Sequence, residues 1–203
     1  MKKLIALLLI VVIAFSITAC TDKNKDDGDK TAQTTIKLDG EKLKSNWKSG
    51  EITFADGKKA TIPCTPKELA EKSGLSIRNY DAISIKTLAP GESFTINIVN
   101  DDTSIDVKCK NKTKEPINIL DSTVVKYSFN NTNAGNKEVF FAESLTVGVS
   151  RDAIVDALGE PKNTAGEDSL YFYTGKNTKG KNIELRVGFN ADNIVNSVSY
   201  EVK

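Results

Sequence analysis

Residues 143–164 read ESLTVGVSRDAIVDALGEPKNT, and the fold turns on whether this stretch is a catalytic loop or a piece of scaffold. Its first part alternates apolar and other residues, the period of a strand. At Ser150 the pattern changes to a short amphipathic segment. Ser150 is a helix N-cap, Val149 can staple onto Ile154, and Gly159 ends the helix with Pro161 just beyond. Asp152 and Asp156, four apart, lie on one face of that helix; on so short a helix they read as its solvated side rather than a catalytic pair. Every feature of the stretch serves backbone geometry, so it is scaffold.

Upstream, TPKELAEKSG at 65–74 repeats the design. Thr65 is an N-cap, Pro66 occupies the first helical position, Glu68 completes a capping box and Gly74 is the stop. Nine positions separate cap from stop glycine in both helices. The segments behind the two helices match as well: FTINIVNDDTSIDV after the first and IELRVGFNADNIVNSV after the second are each an alternating strand, a turn containing Asn-x-Asp and another strand. EITFADGKKATIP adds a hairpin signal at Asp56-Gly57, and STVVKYSF, KEVFFAES and SLYFYT are further short strands. The expectation is an α+β fold of two tandem repeats, each a short helix plus antiparallel sheet, with the helices on one face.

Val147, Gly148, Ser150, Leu158, Gly159, Pro161 and the aromatics Tyr171 to Tyr173 resemble the signature of BamE/SmpA-like and β-lactamase-inhibitor-protein-like domains. The resemblance covers residues 144–203, and reaches the first half only through the repeat. It implies helices on one side of an antiparallel sheet and an opposite face free to contact a protein; it selects no activity. ATIPCTPKELAEKSGL also looks like a segment of uncharacterised lipoproteins of low-GC Gram-positive bacteria. The expected organisation is a signal peptide at 1–19, a lipidated tether at 20–35, a first repeat at 36–121 and a second at 122–203.

The leader carries the localisation reading. Lys2 and Lys3 precede the apolar run Leu4 to Phe15, and the uncharged stretch from Leu4 to Ala19 falls short of the roughly 20 residues a membrane-crossing helix needs. Ile17-Thr18-Ala19-Cys20 resembles the bacterial lipobox, which implies lipidation at Cys20 and a lipid anchor on the extracytoplasmic face of the cell membrane. A secretory signal with a chance cysteine, or an uncleaved anchor, is the alternative. The polar segment after Cys20 has too little apolar surface to fold and reads as a tether.

Composition narrows the chemistry. The chain has 28 basic and 27 acidic residues and no histidine; removing Lys2 and Lys3 with the leader leaves 26 against 27. This balance implies no basic face and no nucleic-acid partner. Without histidine the commonest general base and zinc ligand are gone, and the two cysteines left after lipidation are too few for a tetrahedral zinc site. No cofactor or metal is expected. Cys64 and Cys109 form a possible disulfide or remain two small buried thiols.

These readings point to a non-enzymatic lipoprotein that binds or inhibits an unidentified envelope protein through its open sheet face. The alternative is a small-ligand or cell-wall-polymer binder using a cleft between the repeats. In the second repeat Ile183, Leu185, Val187 and Phe189 should face the helix, with Val198, Tyr200 and Val202 beside them. Arg186 then faces out. LYFYT is apolar on both parities. With Leu170 and Phe172 packed inward, Tyr171 and Tyr173 would join Arg186 as the partner-binding set; in the other parity both tyrosines are core.

Overall fold

The computed structural model describes residues 36–83 and 86–203; the signal, tether and Cys20 readings lie outside these residues. The described residues belong to one compact unit. Its strands are β1 (Glu51–Thr53), β2 (Lys59–Thr61), β3 (Ser76–Ile77), β4 (Thr87–Leu88), β5 (Ser93–Val99), β6 (Ser104–Lys110), β7 (Ile117–Asn118), β8 (Thr123–Asn130), β9 (Phe140–Phe141), β10 (Asn163–Ala165), β11 (Leu170–Lys176), β12 (Asn182–Phe189) and β13 (Val195–Val202). The helices are α1 (Gly40–Asn46), α2 (Pro66–Ser73) and α3 (Arg151–Leu158).

The α+β reading holds, and the repeat is visible in the topology. An eight-stranded antiparallel sheet runs β10-β11-β12-β13-β8-β6-β5-β3. After α3 come β10 to β13 as an unbroken meander; after α2 the same positions are filled by β3, β5, β6 and β8. The last strands of the two halves, β8 and β13, pair at the centre, with Tyr127 opposite Tyr200. The division at 121/122 falls just before β8, which pairs with β6 on one side and β13 on the other.

Both expected helices form where their caps predict. The Thr65 side chain accepts from the Glu68 amide while Glu68 accepts from the Thr65 amide, and Gly74 stops α2 in the left-handed conformation at φ 71°. The Ser150 hydroxyl accepts from the Ala153 amide, with Gly159 as the stop. The two Asn-x-Asp turns are also alike. Asn100 Oδ1 accepts from the amides of Asp102 and Thr103, and Asn190 Oδ1 from those of Asp192 and Ile194. Each asparagine therefore supplies its turn with an internal acceptor.

α1 has no counterpart in the sequence reading. Its seven residues carry one buried apolar side chain, Leu43, too few to show helical periodicity; its start is fixed by Asp39, which accepts from the Lys42 amide. α1 packs on α3. The Asp56-Gly57 hairpin forms β1 and β2 as expected, and β9 joins it to make a small three-stranded sheet. This sheet lies over the central strands, where Tyr127, Tyr200 and Phe141 cluster with ring centroids 5.2 to 6.3 Å apart. The Tyr127 and Tyr200 hydroxyls donate to the carbonyls of Glu51 and Lys48, so these buried rings keep their polar ends satisfied. The helices and the small sheet thus cover one face of the eight-stranded sheet.

Candidate functional site

Among the described residues the opposite face carries no helix, and its side chains form rows because directly opposed residues in antiparallel strands share a face. One row runs Phe172, Arg186, Ser199, Ser128, Asp106, Asn97; the next runs Thr174, Glu184, Glu201, Lys126, Lys108, Thr95. Ser104, Asp106, Ser128, Asn130, Ser197 and Ser199 border a shallow recess of about 300 Å³ at the middle. The Ser199 hydroxyl oxygen is buried and has no hydrogen-bond partner among the described residues.

Electrostatically the second half of this face is knotted around Glu184. Arg186 Nε lies 2.6 Å from one carboxylate oxygen and Lys203 Nζ 2.6 Å from the other, and Arg186 also reaches Glu201 at 3.8 Å. Burial alone would push the Glu184 carboxyl up, but the hydrogen bonds from Lys203 and Arg186 outweigh it and hold it below the ordinary glutamate range. Two carboxylates placed directly opposite, Glu184 and Glu201, would repel; Arg186, reaching both, relieves that. Lys126 and Lys108, also directly opposed, take part in no ion pair among the described residues.

The inward set of the second half is as expected: Ile183, Leu185, Val187, Phe189, Val198, Tyr200 and Val202 are buried, and Arg186 stands on the open face. The outward placement of Tyr171 and Tyr173 is wrong. They are 9% and 5% exposed on the helix-covered side. The Tyr171 ring meets Phe189 edge-on at 4.9 Å with the Arg151 guanidinium over both rings, and the Tyr173 hydroxyl donates to the Gly159 carbonyl at the end of α3. The reason is register: Tyr171 opposes Val187 and Tyr173 opposes Leu185, both core residues. The five-residue turn Asn177–Lys181 pairs even-numbered with even-numbered residues, a signal present in the sequence. Phe172 is the aromatic on the open face, with the Arg186 guanidinium 5.5 Å from its ring centre.

Cys64 and Cys109 are free thiols, so the disulfide alternative is not formed. Cys109 is fully buried opposite Val124 in the ladder, and Cys64 meets the same Val124 through its carbonyl, which accepts the Val124 amide at 2.8 Å. Backbone hydrogen bonding therefore ties the segment before α2 to the sheet. Burial pushes the Cys64 thiol up to about 11 and Cys109 up to about 12, which keeps both protonated and unreactive at neutral pH.

A cleft between the repeats is also not formed, because β8 and β13 hydrogen-bond edge to edge and make the two halves one sheet. Beneath it, the apolar space bounded by Phe54, Leu69, Ile98 and Tyr127 has no room for a water-sized sphere. An open groove of about 730 Å³ lies between α1 and α3, lined by mixed charges including Asp39, Lys44 and Asp156. Asp152 and Asp156 are both exposed. Among the described residues no cluster of metal-ligating side chains occurs, and no helix is long and apolar enough to cross a membrane.

No family's sequence profile matches the chain, and no curated protein does. Among solved structures, a DUF4309 family protein, YjgB, from Bacillus subtilis is similar at 12% identity with a TM-score of 0.46, over 81% of this chain and 95% of that one.

Proposed function

We propose that this chain is a non-enzymatic lipoprotein, anchored through Cys20 on the extracytoplasmic face of the cell membrane, that binds or inhibits a protein partner through the open face of its sheet. The observation that carries the reading is the open face itself, free of helices among the described residues: six of the eight strands present ordered, mostly polar rows there, with one aromatic, Phe172, near Arg186 and an unpartnered buried hydroxyl on Ser199. Arg and aromatic side chains are enriched where proteins bind one another, and a rigid sheet holds them without loss of further conformational entropy. The anchor rests on Ile17-Thr18-Ala19-Cys20 and the tether-like segment behind it. The absence of histidine from the chain supports a binding role over a catalytic one.

The test places a photo-crosslinking residue at Ser199, on the open face, and separately at Lys67, on the exposed side of α2, in cells. A discrete protein adduct from Ser199, absent from Lys67 and abolished by Phe172→Ser with Arg186→Glu, is expected. Adducts from both positions, or insensitivity to the paired substitution, would sink the face as the binding site. Cys20→Ser should move the protein out of the membrane fraction; unchanged fractionation would refute the anchor while leaving the face untouched.

A further inference from the structure

The near-neutral net charge hides a segregation that the topology creates. In an antiparallel meander successive turns fall at alternate ends of the sheet, so each end collects its own set of loops. At one end lie the turns Asn100–Thr103, Gly166–Ser169 and Asn190–Asn193, which carry Asp101, Asp102, Glu167, Asp168 and Asp192, all exposed. At the other end lie the turn Asn177–Lys181, the stretch after β6 and the residue after β13. These carry Lys110, Lys112, Lys176, Lys179, Lys181 and Lys203, also all exposed. Lys203 is held by Glu184, but no ion pair among the described residues reaches the other five. Glu115 in the same stretch, Glu92 just before β5 and Asp121 just before β8 are exposed acids at this end, outnumbered by its lysines, which include Lys114.

Two further observations bear on what this end meets. The lysines come from opposite halves of the sheet and crowd one another. Burial, and after it the charges of Lys110 and Lys181, hold the Lys112 ammonium below the ordinary lysine range; an anion beside it offsets those like charges. The chain also enters the domain at the acidic end: the Ile36 amide donates to Gly148, whose own amide donates to Val195 at the start of β13. The basic end is the far end of β13, about 26 Å away for eight residues at roughly 3.3 Å each. These lysines are spread across the loops of one end of the sheet rather than gathered in one pocket, a footprint that an extended polymer spans.

We propose that the basic end of the sheet binds a linear polyanion bearing phosphate groups. The lysines are point charges spread over several loops; Trp47, whose ring lies against Gly175, is an aromatic near them but makes no stacking row among the described residues, which suits backbone phosphates and reads no bases. The site shares Lys203 with the Glu184 knot of the open face, but Lys112, Lys179 and Lys181 lie outside that knot, so variants at these three test the two readings independently.

The experiment titrates the full-length chain, in neutral detergent, with long-chain inorganic polyphosphate. Binding should weaken on the order of tenfold or more between about 50 and 200 mM salt, as expected when several phosphates are neutralised. Lys112→Glu with Lys179→Glu and Lys181→Glu should abolish it at an unchanged melting temperature, and the three corresponding Lys→Arg changes should retain it. Asp101→Asn with Asp192→Asn, at the opposite end, should not weaken it. No binding at low salt, or binding indifferent to the triple Glu variant, would overturn the proposal. Tighter association with detergent micelles doped with phosphatidylglycerol, or with a single-stranded oligonucleotide of equal charge, would overturn the choice of polymer in favour of a lipid surface or a nucleic acid.

Discussion

The two halves of the sheet are built on one plan, and their inner faces show where the plan was varied. Across the core the opposed residues run Tyr173, Leu185, Tyr200, Tyr127, Val107, Ile96. About the centre, Tyr200 answers Tyr127 and Leu185 answers Val107. At the flank a tyrosine answers an isoleucine. In the first half Ile96 and Ile98 are buried while Thr95 and Asn97 point away, so alternation names the inner face. In the second half Leu170, Tyr171, Phe172 and Tyr173 are all apolar-bodied, and alternation names nothing. A strand's pattern selects a face only when one parity is polar; otherwise the neighbouring strand's register selects it.

The sharpest break of this comparison is a substitution at the ambiguous strand. Tyr171→Ser with Tyr173→Ser should destabilise by about 3 kcal/mol or more per ring, since each empties a core position and leaves a hydroxyl to be buried. Ile96→Ser with Ile98→Ser should be comparably severe. Phe172→Ser should cost under about 1 kcal/mol, as a change on the open face. Thermal melting reads all three, at roughly 2 to 4 °C per kcal/mol for a domain of this size. A drop from Phe172→Ser as large as from the tyrosine pair would show that both sides of this strand are core.

Legibility in the sequence obeys the same division. The two capped helices, the Asp56-Gly57 hairpin, the duplicated hairpins and the inward set of β12 and β13 are local patterns, in which neighbours along the chain determine one another. α1 was not legible, because one apolar residue in seven gives no period and its stability comes from packing on α3. The charge separation was hidden as well: a summed charge carries no direction, and only the up-and-down path of the strands sorts Asp101 and Asp192 to one end and Lys112 and Lys181 to the other. On the open face, Arg186 is legible from the alternation of its own strand, while Phe172 and its tyrosine neighbours are told apart only by the register with β12.

A subtler contrast separates the two helix starts. Thr65 and Glu68 satisfy each other's amides at 3.1 and 2.8 Å, a reciprocal pair. Ser150 makes a single bond of 3.4 Å to the Ala153 amide, and alanine at that position returns nothing. Thr65→Ala should therefore cost about 1 to 2 kcal/mol and Ser150→Ala about 0.5 kcal/mol. Denaturant midpoints measure the difference. Equal losses would mean that packing of α3, rather than its cap, sets where the second helix begins.

The smallest expected effect lies on the open face, where the halves differ in sign. By position in the row, Lys108 in the first half answers Glu184 in the second, and Lys126 answers Glu201. Because the folded-state carboxyl of Glu184 is held below its ordinary value by Lys203 and Arg186 against the pull of burial, its stabilisation is fully present above the unfolded-state pKa of roughly 4.3. It is lost as the pH falls through the lower folded value, when the carboxylate takes up a proton and both cations lose their partner. Glu184→Gln should therefore lower stability at pH 7 and flatten the decline on going to about pH 3, whereas Lys108→Gln should leave the shape of that decline alone. The acid limb will not vanish, because Glu68, Glu143 and Asp56 are also depressed, by hydrogen bonds at the surface, where solvent screening trims their share. The measurement is the denaturant midpoint at each pH for the parent and the two variants. An unchanged acid limb in Glu184→Gln would mean that Arg186 and Lys203 are held by the sheet itself, and that the knot around Glu184 adds order to the open face without adding stability.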